Sequence, residues 1–183
     1  RTIERQRRIW ANPSSAFIAD DHVVALLGDP AGETLGGSEY LFTIHGQTAG
    51  IPPRCRLDAE KAVSTLCRTL VRSGQVASAH DVSDGGLLVA LAECTGCQEG
   101  TVKIGASVSL TSSETPTRAL FGEGGARIVV SYPAERSAEV EAAAQSHGVP
   151  LLSLGRTGGD RLVVDVSTAG EGASVDVALA DLY

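Results

Sequence analysis

The chain has 183 residues, 43% of them hydrophobic, with 15 Lys and Arg against 22 Asp and Glu for a formal net charge of -7. That length supports one sizeable core, so the expected organisation is an arm or linker over residues 1–15 and a single domain over residues 16–183. The acidic balance excludes non-specific nucleic-acid binding, and apolar runs no longer than Val23 to Leu27 or Leu87 to Ala92 are too short to cross a bilayer, which predicts a soluble, cytoplasmic protein with neither nucleic-acid nor membrane partner.

The chain opens on a basic stretch, Arg1, Arg5, Arg7 and Arg8 against Glu4, that runs past Trp10 to Asn12-Pro13-Ser14-Ser15 without a clear period. His22 to Leu27 reads as a strand closed by Gly28-Asp29-Pro30, and a glycine-rich loop, Gly32 to Glu39, follows. Tyr40 to Ile44 reads as a second strand closed by His45-Gly46. From Leu57 to Ser73, apolar residues at Leu57, Ala62, Leu66, Leu70 and Val71 recur at helical spacing, with Asp58 placed to cap the start and Gly74 the end. Val76 to Ala79 is a short buried strand that hands over to a helix over Leu87 to Glu93. Val102 to Leu110 and Ala126 to Tyr132 alternate or run apolar as strands do. Pro133 opens a helix through Val140 to Gln145 that Gly148 and Pro150 end. Leu151 to Leu154 and Arg161 to Val166 are short strands around the turn Gly158-Gly159-Asp160, and the tail from Gly170 to Tyr183 is rich in small residues with a weak helical end. Strands and helices without strict alternation indicate an α+β domain, a sheet covered by helices.

Chemistry concentrates in His80 to Leu87, reading His-Asp-Val-Ser-Asp-Gly-Gly-Leu, where the strand gives way to the helix. Gly85 and Gly86 at a helix N-terminus let an anion approach backbone N–H groups and the positive end of the helix dipole, with Ser83 beside them. Asp81 and Asp84 repel a bare phosphate, so the functional reading requires Mg²⁺ between carboxylate and phosphate oxygens. The plainer reading is a helix capped by Ser83 or Asp84, with the glycines as a tight turn. Glu123 stands between glycines directly before a strand, where the Gly124 and Gly125 amides can bind an anion or simply form a glycine turn with a solvated Glu123. Gly36-Gly37-Ser38-Glu39 offers the same two readings. Three glycine-plus-acid loops in one small domain can converge on one rim.

The remaining candidates are weaker. Cys94 and Cys97 form a C-x-x-C pair, half a zinc site or a redox motif, but Cys55 and Cys67 lack the spacing of a second knuckle. His80 beside Asp81 suits a general base or, more simply, a hydrogen-bonded structural residue, and His22, His45 and His147 fall in separate elements.

The order Gly32 to Leu41 (Gly-Glu-Thr-Leu-Gly-Gly-Ser-Glu-Tyr-Leu), Leu57 to Ala62, Ser78 to Leu87, Leu120 to Glu123 with Ala126 to Ser131, and finally Leu154 to Asp160 closely resembles the C-terminal end of the phosphoribosylformylglycinamidine synthase family over about residues 17 to 166. The resemblance implies a mixed, largely antiparallel sheet covered by helices, of the C-terminal domain type of the aminoimidazole ribonucleotide synthetase superfamily. It implies a share in an ATP-dependent carbon–nitrogen ligase of purine biosynthesis, in which ATP activates a formamide oxygen and ammonia from glutamine displaces phosphate. Such chemistry asks the protein for positioning and, with Mg²⁺, for neutralisation of phosphate charge. The implied cofactors are ATP or ADP and Mg²⁺, and the implied partners are the remaining domains of the synthetase and a glutaminase supplying ammonia. By position the family's acidic segment falls on Asp81 and Asp84, which together with Glu123 are the expected metal residues, Glu123 standing at a substrate loop that elsewhere reads Glu-Ser-Gln and here reads Glu-Gly-Gly. Ser83, Gly85, Gly86, Gly124 and Gly125 are then nucleotide-rim residues, and no catalytic residue is implied, the family's catalytic histidine being expected in another domain. The competing readings are a structural or interaction domain whose apolar sheet face docks on the subunit or pairs in a homodimer, and a fragment of a related enzyme such as thiamine-monophosphate kinase, which has a similar Asp-x-Ser-Asp-Gly segment.

Overall fold

In the computed structural model, residues 14–30, 34–96 and 103–182 are described. Apart from Ser14 and Ser15, the expected arm with Trp10 lies outside them, as does Cys97 of the C-x-x-C pair. The strands are β1 (Val23–Gly28), β2 (Ser78–Asp81), β3 (Ala106–Thr111), β4 (Arg127–Tyr132), β5 (Leu151–Thr157), β6 (Arg161–Ser167) and β7 (Gly172–Ala178). The helices are α1 (Glu39–His45), α2 (Leu57–Ser73), α3 (Gly86–Cys94), α4 (Pro116–Phe121), α5 (Ser137–Ser146) and α6 (Leu179–Leu182), with a 3₁₀ turn over Ala134–Arg136. The strands form one sheet in the order β2-β4-β1-β5-β3-β6-β7. Only β3 and β6 run parallel, every other neighbouring pair being antiparallel, so the sheet is mixed and largely antiparallel as expected.

All six residues of β1 are buried because helices cover the sheet on both sides of it. Val24 and Leu26 face a core built with Leu87, Ala90 and Leu91 of α3 and Ala119 and Leu120 of α4. Val23, Ala25 and Leu27 face a second core built with Val63, Leu66 and Leu70 of α2 and Val140 and Ala144 of α5. The period-2 alternation of the strand sorts one sequence run between two cores. The buried hydroxyls of Ser78 and Ser131 satisfy each other at 2.6 Å across β2 and β4.

Farther along, the described helices cover the sheet on one side only. Ala106, Val108 and Leu110 of β3 and Leu162, Val164 and Val166 of β6 join the first core, while Ser107, Ser109, Thr111, Asp165, Ser174 and Asp176 stand exposed on the other face. That open face is mostly polar, with half-buried Val163 among its serine, threonine and aspartate side chains. Among the described residues, the exposed large apolar side chains lie elsewhere, at Ile18, Phe42, Ile44, Ile51 and Leu57.

Several elements differ from the sequence expectation. Tyr40 to Ile44 is a helix, not a strand: the Ser38 hydroxyl accepts a hydrogen bond from the Leu41 N–H as N-cap, and Gly46 at φ 64° ends the turn, so local caps override an aromatic, β-branched run. Asp58 lies inside the first turn of α2 while Arg56 occupies the cap position without a side-chain cap bond, and Val63 rather than exposed Leu57 faces the core. The strand expected at Val76 to Ala79 is shifted to Ser78–Asp81, which brings His80 and Asp81 into the sheet. Thr115 and Pro116 start a helix, α4, that the sequence reading lacks. The tail pairs along all of β6 as β7 before its short helix.

His22 enters β1 with its Nδ1 buried and without a hydrogen-bond partner among the described residues. Burial holds its imidazole below the ordinary value of 6.5, against the opposing pull of the Asp21 and Glu135 carboxylates. The unfolded chain then binds the extra proton more readily, so the stability that neutral His22 supports is complete above 6.5 and declines as pH falls through the window beneath it. Urea midpoints measured across that window should fall more steeply for the native chain than for His22→Gln. Leu26→Ala should cost about 2–5 kcal/mol in the same assay, and Phe42→Ser no more than about 0.5 kcal/mol, because only the first opens a cavity.

Candidate functional site

The three glycine-plus-acid loops do meet. At the centre is the carboxylate of Glu123, whose Oε1 accepts the Gly85 N–H at 2.9 Å and the Glu39 N–H at 2.8 Å. Glu123 also forms an isolated antiparallel bridge with Thr34, the Thr34 N–H reaching its carbonyl at 3.3 Å and the Glu123 N–H reaching that of Thr34 at 2.9 Å. The segment carrying Glu123 is fixed from behind by Arg127, whose buried guanidinium donates to the Gly122 carbonyl at 2.8 Å and the Gly124 carbonyl at 3.4 Å. A single carboxylate thus joins the starts of α1 and α3, where exposed N–H groups and the helix dipoles favour negative charge.

The glycines at the start of α3 are required by conformation and by space. Gly85 is the N-cap at φ 78° and Gly86 follows at φ 75°, a left-handed pair that other residues rarely adopt. A Cβ on Gly86 would come within 2.8 Å of the Leu120 carbonyl oxygen and of the Phe121 carbonyl carbon, so α3 begins hard against the end of α4. Neither Ser83 nor Asp84 caps the helix. The Gly86 N–H goes to the Ser83 carbonyl at 3.1 Å, and the Ser83 hydroxyl donates to Asp81 Oδ2 at 2.8 Å.

Asp81 closes β2 and is exposed, as is Asp84 three residues on. Among the described residues no group of three or more His, Cys, Asp or Glu is placed to hold a metal ion, so Asp81, Asp84 and Glu123 do not form a protein cage. Glu123 is turned to backbone amides instead. Gly125 lies against the Glu60 side chain, which a Cβ would strike, and that neighbouring acid opposes an anion there. His80 has Nδ1 at 2.8 Å from the Asp81 carbonyl oxygen and Nε2 at 3.4 Å from Glu93 Oε2, the setting of a residue tying β2 to α3.

Beside Gly85 is a cavity of about 150 Å³ between α1 and α3, lined by Tyr40, Ile44, Val89 and Phe121 among others. The Tyr40 and Phe121 rings pack at a centroid distance of 4.8 Å. Thr34, Ser38 and Arg127 belong to the rim's construction; all three fall within the segments that carry the family resemblance, but the sequence reading gives none of them an individual role.

The family model of the AIR synthase related protein, C-terminal domain, matches residues 19–167. The chain belongs to this family. The AIR synthase related domain is 47% identical over 157 residues to the phosphoribosylformylglycinamidine synthase subunit PurL of Anaeromyxobacter sp. (strain Fw109-5), a match covering 82% of this chain and 20% of that protein. Among solved structures, Thermotoga maritima PurL complexed with FGAR superposes with a TM-score of 0.73 at 19% identity, covering 93% of this chain and 29% of that one. The same protein complexed with ATP gives 0.67 at 19% identity, covering 93% and 27%. The AIR synthase related domain thus spans about a fifth of the length of the curated relatives it matches.

Replacing Glu123 by Gln keeps its shape and removes the charge from both contacts. Glu123→Gln should destabilise the domain by about 1–2 kcal/mol. Native-state hydrogen exchange should quicken selectively at the Gly85 and Glu39 amides, with the β1 amides keeping their protection relative to global unfolding.

Proposed function

We propose that this domain serves as the C-terminal part of phosphoribosylformylglycinamidine synthase, the ATP-dependent ligase that converts formylglycinamide ribonucleotide to formylglycinamidine ribonucleotide in de novo purine biosynthesis. The observation that carries the proposal is the identity with PurL subunits, sustained through most of the chain. In this reading the reacting centre lies in the rest of the polypeptide, and the chain alone has no ligase activity. Its exposed Phe42, Ile44, Ile51 and Leu57 offer an apolar surface to the neighbouring domains of the synthetase, and a glutaminase delivers the ammonia elsewhere on the assembly.

The contribution of this chain is an auxiliary nucleotide rim for ATP or ADP with Mg²⁺. Asp81 and Asp84 suit Mg²⁺ that arrives on phosphates, since that ion is commonly held by one or two carboxylates together with phosphate oxygens and water rather than by an all-protein cage. Bound there, the ion would neutralise phosphate charge. Ser83, Gly85 and Gly86 border the same edge, with Gly124 and Gly125 behind Glu123. A phosphate reaches the Gly85 amide only when the Glu123 carboxylate gives way, because both seek the same N–H.

Two measurements test this. In a synthetase whose last domain is replaced by this chain, ammonia-dependent amidine formation should be restored, and a folded chimera that binds its substrates yet forms no amidine would refute the parentage. Calorimetric titration of the chain with ADP should show binding that requires Mg²⁺ and weakens about tenfold or more in Asp81→Asn, Asp84→Asn. Metal-independent binding, binding unchanged in the variant, or none at millimolar nucleotide would sink the rim.

A further inference from the structure

A groove of about 540 Å³ lies on the other side of the sheet from the rim, where α5 leaves β5 uncovered. Val23, Ala144, Val149 and Leu151 give it an apolar floor, and Tyr132, Glu141, Ser153 and Arg156 bring polar groups to it. The volume falls within the range of small-molecule sites. Nothing in the synthetase reading uses this groove.

Tyr132 is the informative residue. It is 2% exposed and borders the groove, yet its hydroxyl makes no hydrogen bond with any described residue. The hydroxyl is the part of the residue that opens on the groove, where water serves it, so a polar group entering the groove would take the place of that water. Burial and the Glu141 carboxylate together push the Tyr132 hydroxyl above its ordinary value of 10.0, keeping it protonated. Glu141, projecting from α5, likewise has no hydrogen bond or ion pair with a described residue. Arg156 approaches from β5; its Nη1 donates to the Asp21 carbonyl and to Asp21 Oδ1, both at 2.9 Å, which orients the guanidinium and leaves Nε and Nη2 available.

We propose that this groove binds a small zwitterion of the amino-acid or dipeptide kind, its ammonium held by the Glu141 carboxylate and the Tyr132 oxygen and its carboxylate by Arg156. The carboxylate on one wall and the guanidinium on the other select both charges of the ligand, and the floor between them takes an apolar side chain. A ligand with only one charge leaves one wall unmatched.

The test is amide-resolved NMR titration of the 183-residue chain with L-leucine, glycylglycine, ethylammonium and propionate. L-leucine or glycylglycine should shift the amides of Tyr132, Glu141, Ser153 and Arg156 with one saturating midpoint, raised about tenfold in Glu141→Gln and about threefold or more in Tyr132→Phe. Each variant removes or neutralises one polar group, and unchanged amide positions outside the groove verify that it folds. Ethylammonium and propionate should bind at least about tenfold more weakly than the zwitterions. No shift at the groove up to about 10 mM zwitterion, equal midpoints in both variants, or ethylammonium binding as tightly as glycylglycine would overturn the proposal. A preference between L-leucine and glycylglycine assigns the ligand to the amino-acid or the peptide class.

Discussion

Everything in this domain is arranged around a strand that cannot meet water. β1 is buried along its whole length, so its two faces must each be given a core, and the helix pair α3 and α4 on one side answers the pair α2 and α5 on the other. Pairing β1 with β4 and β5 satisfies its backbone and fixes the registers of both neighbours, with one irregularity between Val24 and Ala25 against β5. Sites on opposite faces follow from that division. The rim grows from the first core, at the junction of α3 and α4, and the Tyr132 groove from the second, beside α5.

The rim shows how a sequence can make an anion-binding arrangement and fill it itself. Two helix starts direct amides to one point, and the negative charge found there belongs to Glu123 rather than to a ligand. Arg127 makes this possible by gripping the carbonyls on either side of Glu123 from within the core. The hydrogen bonds to the Gly122 and Gly124 carbonyls offset part of what it costs to desolvate that guanidinium.

What could be read from the sequence was what depends on neighbours in the chain. β1 is marked by an apolar run closed at Gly28-Asp29-Pro30, α2 by its period, and Gly74 by its position after the last periodic residue. The family was legible because several motifs occur in one order, a far more restrictive observation than any single glycine loop. The helical state of Tyr40 to Ile44 was lost because five residues are too few to separate the two periods and the deciding bond is made by Ser38, outside the run. The tail concealed β7 because alternating small residues along Gly172–Ala178 carry little hydrophobic signal, and pairing with β6 decides the matter. The convergence of three loops was anticipated, but not that Glu123 would cap Gly85 from 38 residues away and Glu39 from 84. Local pattern contains no information about contacts of that separation.

The self-filled rim has a consequence for any ligand that comes to it. A carboxylate tethered to the fold is present at an effective concentration set by geometry, not by the surroundings, and it does not dilute. A phosphate brought to the Gly85 amide would face a competitor that is always in place, which weakens its apparent affinity by the same factor at every ligand concentration. The contacts that Glu123 makes to both helix starts are those a phosphate at the Gly85 amide would have to replace, so its net gain is the difference between two interactions of one kind.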